Sequence, residues 1–243
     1  MAKVAAIVPA AGAGRRFGGK ENKIFRRIGG GGQPVFLRTL EAFTSRDDVC
    51  QAILVVAEAD LDELKRRFGG NLGFMGVKLV AGGETRSDSV RNALAHVADD
   101  AELVCVHDAV RPCIAQPWID AVFAEAEKTG AAILACPVHG TLKRVSGQHV
   151  IDETVERSDL WEAQTPQVFR TDLLREAYAS GRSATDDAAL VEAIGHAVHV
   201  VAGDPRNVKI TTPADLAFAA AVIRTLPKPK QTGYVHPFDE PKW

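Results

Sequence analysis

The chain has 243 residues and a mass of 26.0 kDa, with 46% hydrophobic and 25% charged residues and a formal net charge of -2. That length suits one sizeable α/β domain, or at most two small ones, with a full core. So small a net charge excludes the global basic field on which non-specific nucleic-acid binding depends, and any anion site must be local. The four cysteines, Cys50, Cys105, Cys113 and Cys136, fall mostly in apolar runs, with no C-x-x-C pair and no histidine at metal-ligand spacing, and read as reduced core thiols. The N-terminal "MAKVAAIVPAAG" is too short in its apolar part for a signal peptide, and no stretch approaches the ~20 apolar residues of a membrane span. The expectation is a cytoplasmic protein.

Short apolar runs alternate with longer amphipathic segments. A strand is predicted over 4–9 ("VAAIVP"), then a glycine-rich loop, a helix over about 34–45, a strand over 52–57, a helix over 59–68, a strand over 77–81 and a helix over 87–98. The pattern continues with a strand over 103–108 ("LVCVHD"), a helix over 117–129 and a strand over 131–138. Helices over 171–180 and 185–195, a strand over 197–203 and a helix over 212–225 complete it. The last helix opens on Thr212 as N-cap, Pro213 at the first helical position and Asp215 in the first turn. Most strands are apolar on both faces, as buried parallel strands are, so the predicted fold is α/β: a Rossmann-like three-layer sandwich around a mostly parallel mixed sheet. One segment breaks the rhythm. Residues 139–167 show alternating short runs and a turn at "SGQ", and read as a β-hairpin arm inserted between sheet elements. The organisation is therefore one domain over 1–226 carrying that arm, followed by a proline-rich tail over 227–243.

The loop "PAAGAGRRFGGKENK", Pro9 to Lys23, leaves the first strand and carries four basic side chains among its glycines. A Rossmann fingerprint needs a third small residue, where Phe17 follows Arg15 and Arg16. A Walker A loop matches at Gly14, Gly19 and Lys20 but then meets Glu21, where Ser or Thr should hold magnesium. Both motifs are disfavoured, and a solvated turn with scattered charges stays open on the loop alone. Its place after a strand of an α/β sheet, where ligands bind at strand carboxyl ends, favours phosphate binding by backbone N–H groups with Arg16 and Lys23 supplying charge.

"PAAGAGRRF", with Lys23 seven residues after Arg16, resembles the signature loop of the sugar-phosphate nucleotidyltransferases, and within them the 2-C-methyl-D-erythritol 4-phosphate cytidylyltransferases. The resemblance implies that Ala10, Ala11, Gly12 and Gly14 bind nucleotide and that Arg16 and Lys23 are catalytic. "AGGETRSDSVRNAL" implies that Gly82, Gly83 and Ser89 hold the cytosine, with too little room for a purine. In "VHDAVRP", Asp108 is implied near nucleotide, acceptor and a divalent cation such as Mg²⁺, and Arg111 on the acceptor phosphate side. His107 reads as structural. Thr141 and Arg157, on the two sides of the hairpin, are implied to complete the acceptor site of a neighbouring subunit in a homodimer. Thr185 is expected as a helix N-cap that also meets the acceptor, and Lys209 near the phosphates. The resemblance runs in order from Ala6 to about Leu226. It departs at "ENKIF", where Asn22-Lys23-Ile24 replaces a common Pro-Lys-Gln, so that Lys20 competes with Lys23, and at the extra glycine of "RRIGGGGQPV".

What the resemblance implies is transfer of CMP from CTP to 2-C-methyl-D-erythritol 4-phosphate, with no partner nucleic acid or membrane. Ribitol 5-phosphate as acceptor is the alternative within the family, although "TLKRV" leans toward methylerythritol phosphate. A P-loop NTPase and a non-catalytic nucleotide-binding module are the alternatives from other classes. An acceptor that is already a phosphate monoester is largely dianionic at neutral pH, with a second pKa near ~6, so the lack of an evident Ser/His/Asp or Cys/His constellation does not count against an enzyme.

Overall fold

The computed structural model describes residues 1–12, 23–29, 31–182 and 184–228. A seven-stranded sheet forms the middle layer, built from β1 (Val4–Pro9), β2 (Val49–Val56), β3 (Val77–Ala81), β4 (Leu103–Val106), β5 (Ala131–Pro137), β8 (Trp161–Arg170) and β9 (His199–Ala202) in the order β3-β2-β1-β4-β8-β5-β9. A separate hairpin pairs β6 (Leu142–Val145) with β7 (Ile151–Val155). All neighbours in the main sheet are parallel except that β8 runs antiparallel to both β4 and β5. The sheet is thus mostly parallel and mixed, as its apolar strands predicted.

Alternation along β1 shows how the layers form. Ala5 and Ile7 pack with α3 (Arg86–Leu94), α5 (Thr171–Ala179) and α6 (Asp187–Ala193), whereas Val4, Ala6 and Val8 face α1 (Val35–Thr44), α2 (Leu61–Phe74), α4 (Gln116–Thr129) and α7 (Pro213–Val222). Side chains of a strand point alternately to opposite faces, so one apolar run feeds both cores. Helix α2 extends past the expected end at 68, because Leu64, Phe68 and Leu72 continue a buried stripe at i, i+4 and i+8 despite Gly69, Gly70 and Gly73. Helix α7 begins as predicted, with Thr212 and Asp215 in a reciprocal capping box. No helix among the described residues is long and apolar enough to cross a membrane.

The expected arm over 139–167 requires correction. Only β6, β7 and the loops around them project from the sheet. Residues from Trp161 onward form β8, which enters the centre of the main sheet and is buried from Gln164 to Phe169. The polar side chains of this strand and its Pro166 concealed it in the sequence. Pro166 is tolerated because the pairing of β5 with β8 is irregular between Ile133 and Ala135, and β4 pairs only with Gln167 to Arg170, so no ladder bond is demanded of the missing N–H. Of the proline-rich tail, only Pro227 and Lys228 fall among the described residues.

Candidate active site

Strand order reverses at β1 and β4: the chain moves from β1 to β2 to β3 on one side, then places β4 on the other. Ligand crevices of open α/β sheets lie outside the carboxyl ends of strands at such a switch point. A cleft of about 590 Å³ sits there, and its lining includes Pro9 at the end of β1 and Ala10 to Gly12 after it, Gly83, Arg86 and Ser89 around the start of α3, Asp108 after β4, Lys23 and Lys209. Of the sequence-predicted residues, Ala10, Ala11, Gly12, Lys23, Gly83, Ser89, Asp108 and Lys209 therefore converge on one cleft. Gly14, Arg16 and the competing Lys20 lie outside the described residues.

The turn after β3 is built on close approach. Ser89 Oγ accepts from Gly83 N at 3.1 Å and donates to the Thr85 carbonyl at 2.9 Å, while Thr85 and Asp88 cap α3 reciprocally. Gly82 N donates to the Val56 carbonyl at 2.7 Å, and a Cβ on Gly82 would stand 2.5 Å from Ala11 Cβ and 2.8 Å from Ser89 Oγ. The backbone after β1 and the backbone after β3 meet only because position 82 has no side chain.

Asp108 lies at the floor and is 6% exposed. Its Oδ2 is 2.7 Å from Lys209 Nζ and 3.7 Å from Arg111 Nε, and its Oδ1 is 3.3 Å from Arg86 Nε. Burial by itself would raise the Asp108 pKa, but the charges of Arg86, Lys209 and Arg111 outweigh it and hold the carboxyl well below the usual carboxylate range. Lys23 Nζ donates to the Ile210 carbonyl at 3.1 Å, so the two lysines meet at the same loop from opposite ends of the chain.

Arg111, expected on the acceptor phosphate side, lies beneath Asp108 and is 7% exposed; its Nη1 donates to the Asn207 carbonyl at 2.7 Å. Thr185 is exposed but is not the N-cap of α6. Asp186 takes that place, its side chain accepting from Ala189 N, because Gln167 Nε2 donates to Asp186 Oδ2 while Gln167 Oε1 accepts from Asp187 N and Ala188 N. Thr141 and Arg157 are exposed at the base of the hairpin, where an Arg157 guanidinium nitrogen donates to the His139 carbonyl, and neither lines the cleft.

Sequence reasoning missed six residues around this floor: Arg86, Gln164, Thr165, Gln167, Asp187 and Asn207. Arg86 faces the cleft and also pairs with the buried Asp187 at 2.8 Å. Thr165 Oγ1 accepts from Asp108 N at 3.1 Å, and Asn207 Nδ2 donates to the Thr165 carbonyl at 2.8 Å and to Gln164 Oε1 at 3.1 Å. Gln167, Thr165 and Asn207 are polar residues with no local pattern, and they become visible only when β8 enters the sheet. His107 behaves as read: it is fully buried, with Nδ1 3.1 Å from Thr165 Oγ1 and Nε2 3.1 Å from the Arg111 carbonyl. Since the carbonyl only accepts, Nε2 carries the proton and Nδ1 accepts from the threonine hydroxyl, which leaves a neutral ring. Burial lowers the His107 pKa to about 4.

The family model of 2-C-methyl-D-erythritol 4-phosphate cytidylyltransferase matches residues 4–225. The chain belongs to that family. A 2-C-methyl-D-erythritol 4-phosphate cytidylyltransferase from Rhodopirellula baltica is 43% identical over 235 residues, covering 91% of this chain and 95% of the relative. One from Dechloromonas aromatica is 43% identical over 223 residues, covering 90% and 96%. Among solved structures, the cytidylyltransferase of the same name from Thermus thermophilus aligns with a TM-score of 0.76 at 33% identity, over 91% of this chain and 99% of the other.

The donor set bears on the divalent cation expected at Asp108. No group of three or more His, Cys, Asp or Glu among the described residues would hold an ion by protein alone. Mg²⁺, however, is commonly bound through one or two carboxylates plus substrate phosphates. A single aspartate whose pKa is held low by its cationic neighbours, on the floor of a cytidylyltransferase cleft, fits an ion that arrives with a triphosphate.

Two expectations rest on these contacts. Gly82→Ala should lower stability by about 1–3 kcal/mol through overpacking and weaken cytidine nucleotide binding, read by thermal unfolding and titration calorimetry. An unfolded chain takes up the His107 proton near pH 6.5, the folded protein only near 4, so unfolding is accompanied by proton uptake between these values. Stability should therefore fall as pH drops from 6.5 to 4, by on the order of 3 kcal/mol from this residue. Urea midpoints across that window, compared with a His107→Gln variant showing a shallower slope, measure it.

Proposed function

We propose that the chain transfers CMP from CTP to 2-C-methyl-D-erythritol 4-phosphate, releasing pyrophosphate and forming 4-diphosphocytidyl-2-C-methyl-D-erythritol for isoprenoid biosynthesis by the non-mevalonate route. The observation that carries this reading is the family match across 4–225 together with the convergence of the β1 loop, Ser89, Asp108, Lys23 and Lys209 on one switch-point cleft. The Gly82–Gly83 turn, closed by Ser89 and Ala11, suits a pyrimidine ring read by backbone groups. Ala10 to Gly12, with Gly14, would wrap the triphosphate.

The acceptor arrives as a phosphate dianion and needs no general base. His107 is consistent with this, being neutral, buried and committed to Thr165 and the Arg111 carbonyl. What remains for the protein is to hold two anions in line and to neutralise charge as it builds on the α-phosphate and the departing pyrophosphate. Lys23 and Arg16 take the triphosphate side in this reading, and Lys209 and Thr185 the acceptor side, with the buried Arg111 adding positive charge beneath Asp108. Mg²⁺, held by Asp108 and the nucleotide, would supply further charge neutralisation at the phosphates.

A homodimer is part of the proposal. Val145, Val150, Ile151, Leu160 and Trp161 leave apolar surface exposed on and beside the hairpin, next to Thr141 and Arg157. Covering by a second copy removes that surface from water and carries the two polar residues to the neighbour's acceptor site. The four unpaired cysteines suit a reducing, cytoplasmic compartment.

Pyrophosphate release from CTP in the presence of 2-C-methyl-D-erythritol 4-phosphate, and not with ribitol 5-phosphate or without acceptor, tests the reaction. Lys23→Ala should lose on the order of 10²-fold or more in turnover with an unchanged unfolding midpoint, and near-normal turnover would remove Lys23 from the chemistry. Mixing Arg157→Ala with Asp108→Ala subunits should regain activity, because one site of each heterodimer is wholly intact. No recovery after verified subunit exchange would place the arm in its own chain's site.

A further inference from the structure

Arg86 is the first residue of α3, the helix whose Ser89 organises the proposed base pocket, and Asp187 is the first residue of α6, two positions after Thr185. The Arg86 side chain is 29% exposed, whereas the Asp187 side chain is 0% exposed, and Arg86 Nη2 reaches Asp187 Oδ2 at 2.8 Å. The same guanidinium donates from Nε to Asp108 Oδ1 at 3.3 Å, and the other Asp187 oxygen accepts from the Tyr178 hydroxyl at 2.5 Å. We propose that Arg86 and Asp187 form a clamp between the starts of two helices, a positioning pair that sets the acceptor wall of the cleft relative to its nucleotide wall and to Asp108. The inference rests on the reaction proposed above, which puts nucleotide at α3 and acceptor near Thr185.

The two walls are not secured equally. Helix α3 is tied down by its own Thr85–Asp88 capping box and by the bonds of Ser89 to Gly83 and Thr85. Helix α6 spans only Asp187–Ala193; its start has a single cap, Asp186 to Ala189 N, without the reciprocal bond of a capping box, and is held besides by Gln167, by Tyr178 and by Arg86 from the start of α3. An arginine suits this place because its rigid planar fork holds Nε on one carboxylate and Nη2 on the other in a fixed relative geometry, which a compact, rotatable ammonium does not impose. Both carboxylates are buried, so the attraction is little screened by solvent or salt. Loosening the clamp therefore displaces the α6 side, and with it the acceptor, more than the base pocket.

Asp187→Asn isolates the charge. An asparagine can accept from Arg86 through its carbonyl oxygen and donate its amide hydrogen to the Tyr178 hydroxyl oxygen, so both hydrogen bonds survive. Displacement of a reacting group by about 1 Å costs on the order of 10²-fold, and that is the expected loss in kcat/KM for the acceptor, with CTP affinity within about threefold of wild type. Arg86→Lys, at a partly exposed position, carries the same expected loss in acceptor kcat/KM and serves if Asp187→Asn does not fold. In the double variant Asp187→Asn/Arg86→Lys the losses of the two single variants should not add. Wild-type turnover of CTP with 2-C-methyl-D-erythritol 4-phosphate is measured first, since its absence refutes the reaction itself. With wild-type turnover present, acceptor kcat/KM unchanged in a folded single variant, CTP affinity falling in step with it, or additive losses in the double variant each overturn the clamp.

Discussion

One buried carboxylate organises the cleft. Asp108 draws Lys209, Arg86 and Arg111 from three segments of the chain, and two of these cations are fastened again elsewhere: Arg86 to Asp187, Arg111 to the Asn207 carbonyl. A charge so placed is costly to bury unless it is paired and hydrogen-bonded, and removing a partner exposes that cost. The loops of the active site are thereby held by electrostatics as well as by the apolar packing of Ala10, Ala109, Val110 and Ile210. This suits a site whose working ligands are phosphates, because the groups that hold the cleft together are of the kind that receive anions.

The antiparallel strand β8 supplies the second half of the arrangement. It leaves the hairpin at Trp161, crosses the sheet between β4 and β5, and presents Gln164, Thr165 and Gln167 inside the protein. Thr165 fixes the Asp108 backbone, Gln167 fixes the start of α6, and Gln164 meets Asn207 two residues before Lys209. One strand therefore links the arm, the floor and the loop of Lys209. An apolar strand here would pack as well, but it would leave the backbone groups of three loops without partners, each at a cost comparable to a lost hydrogen bond.

Much of this was legible from residues alone. The apolar runs of β1 to β5 announced a parallel α/β sheet, the Thr212–Pro213–Asp215 trio announced α7, and the Pro9–Lys23 loop pointed to a phosphate site after β1, while Asp108, Ser89 and Lys209 were joined to it only through the family resemblance. Such features are local: periodicity, caps and glycine-rich turns write their physics into a few consecutive residues. Arg86, Asp187 and Asn207 carried no such mark. Their chemistry is ordinary, and it acquires meaning only from partners on other elements.

By itself, then, the sequence determined the layer architecture and the chemical character of the cleft, since hydrophobic period and residue type decide which faces are buried and which charge a loop can hold. Only the tertiary structure decided that 161–170 belongs to the sheet and not to the arm, that Arg111 lies beneath Asp108 and not at the cleft wall, and that Asp186 rather than Thr185 caps α6. Each of those outcomes turns on a long-range polar contact, and the pairing of a buried polar group depends on which segments the fold brings within hydrogen-bond reach.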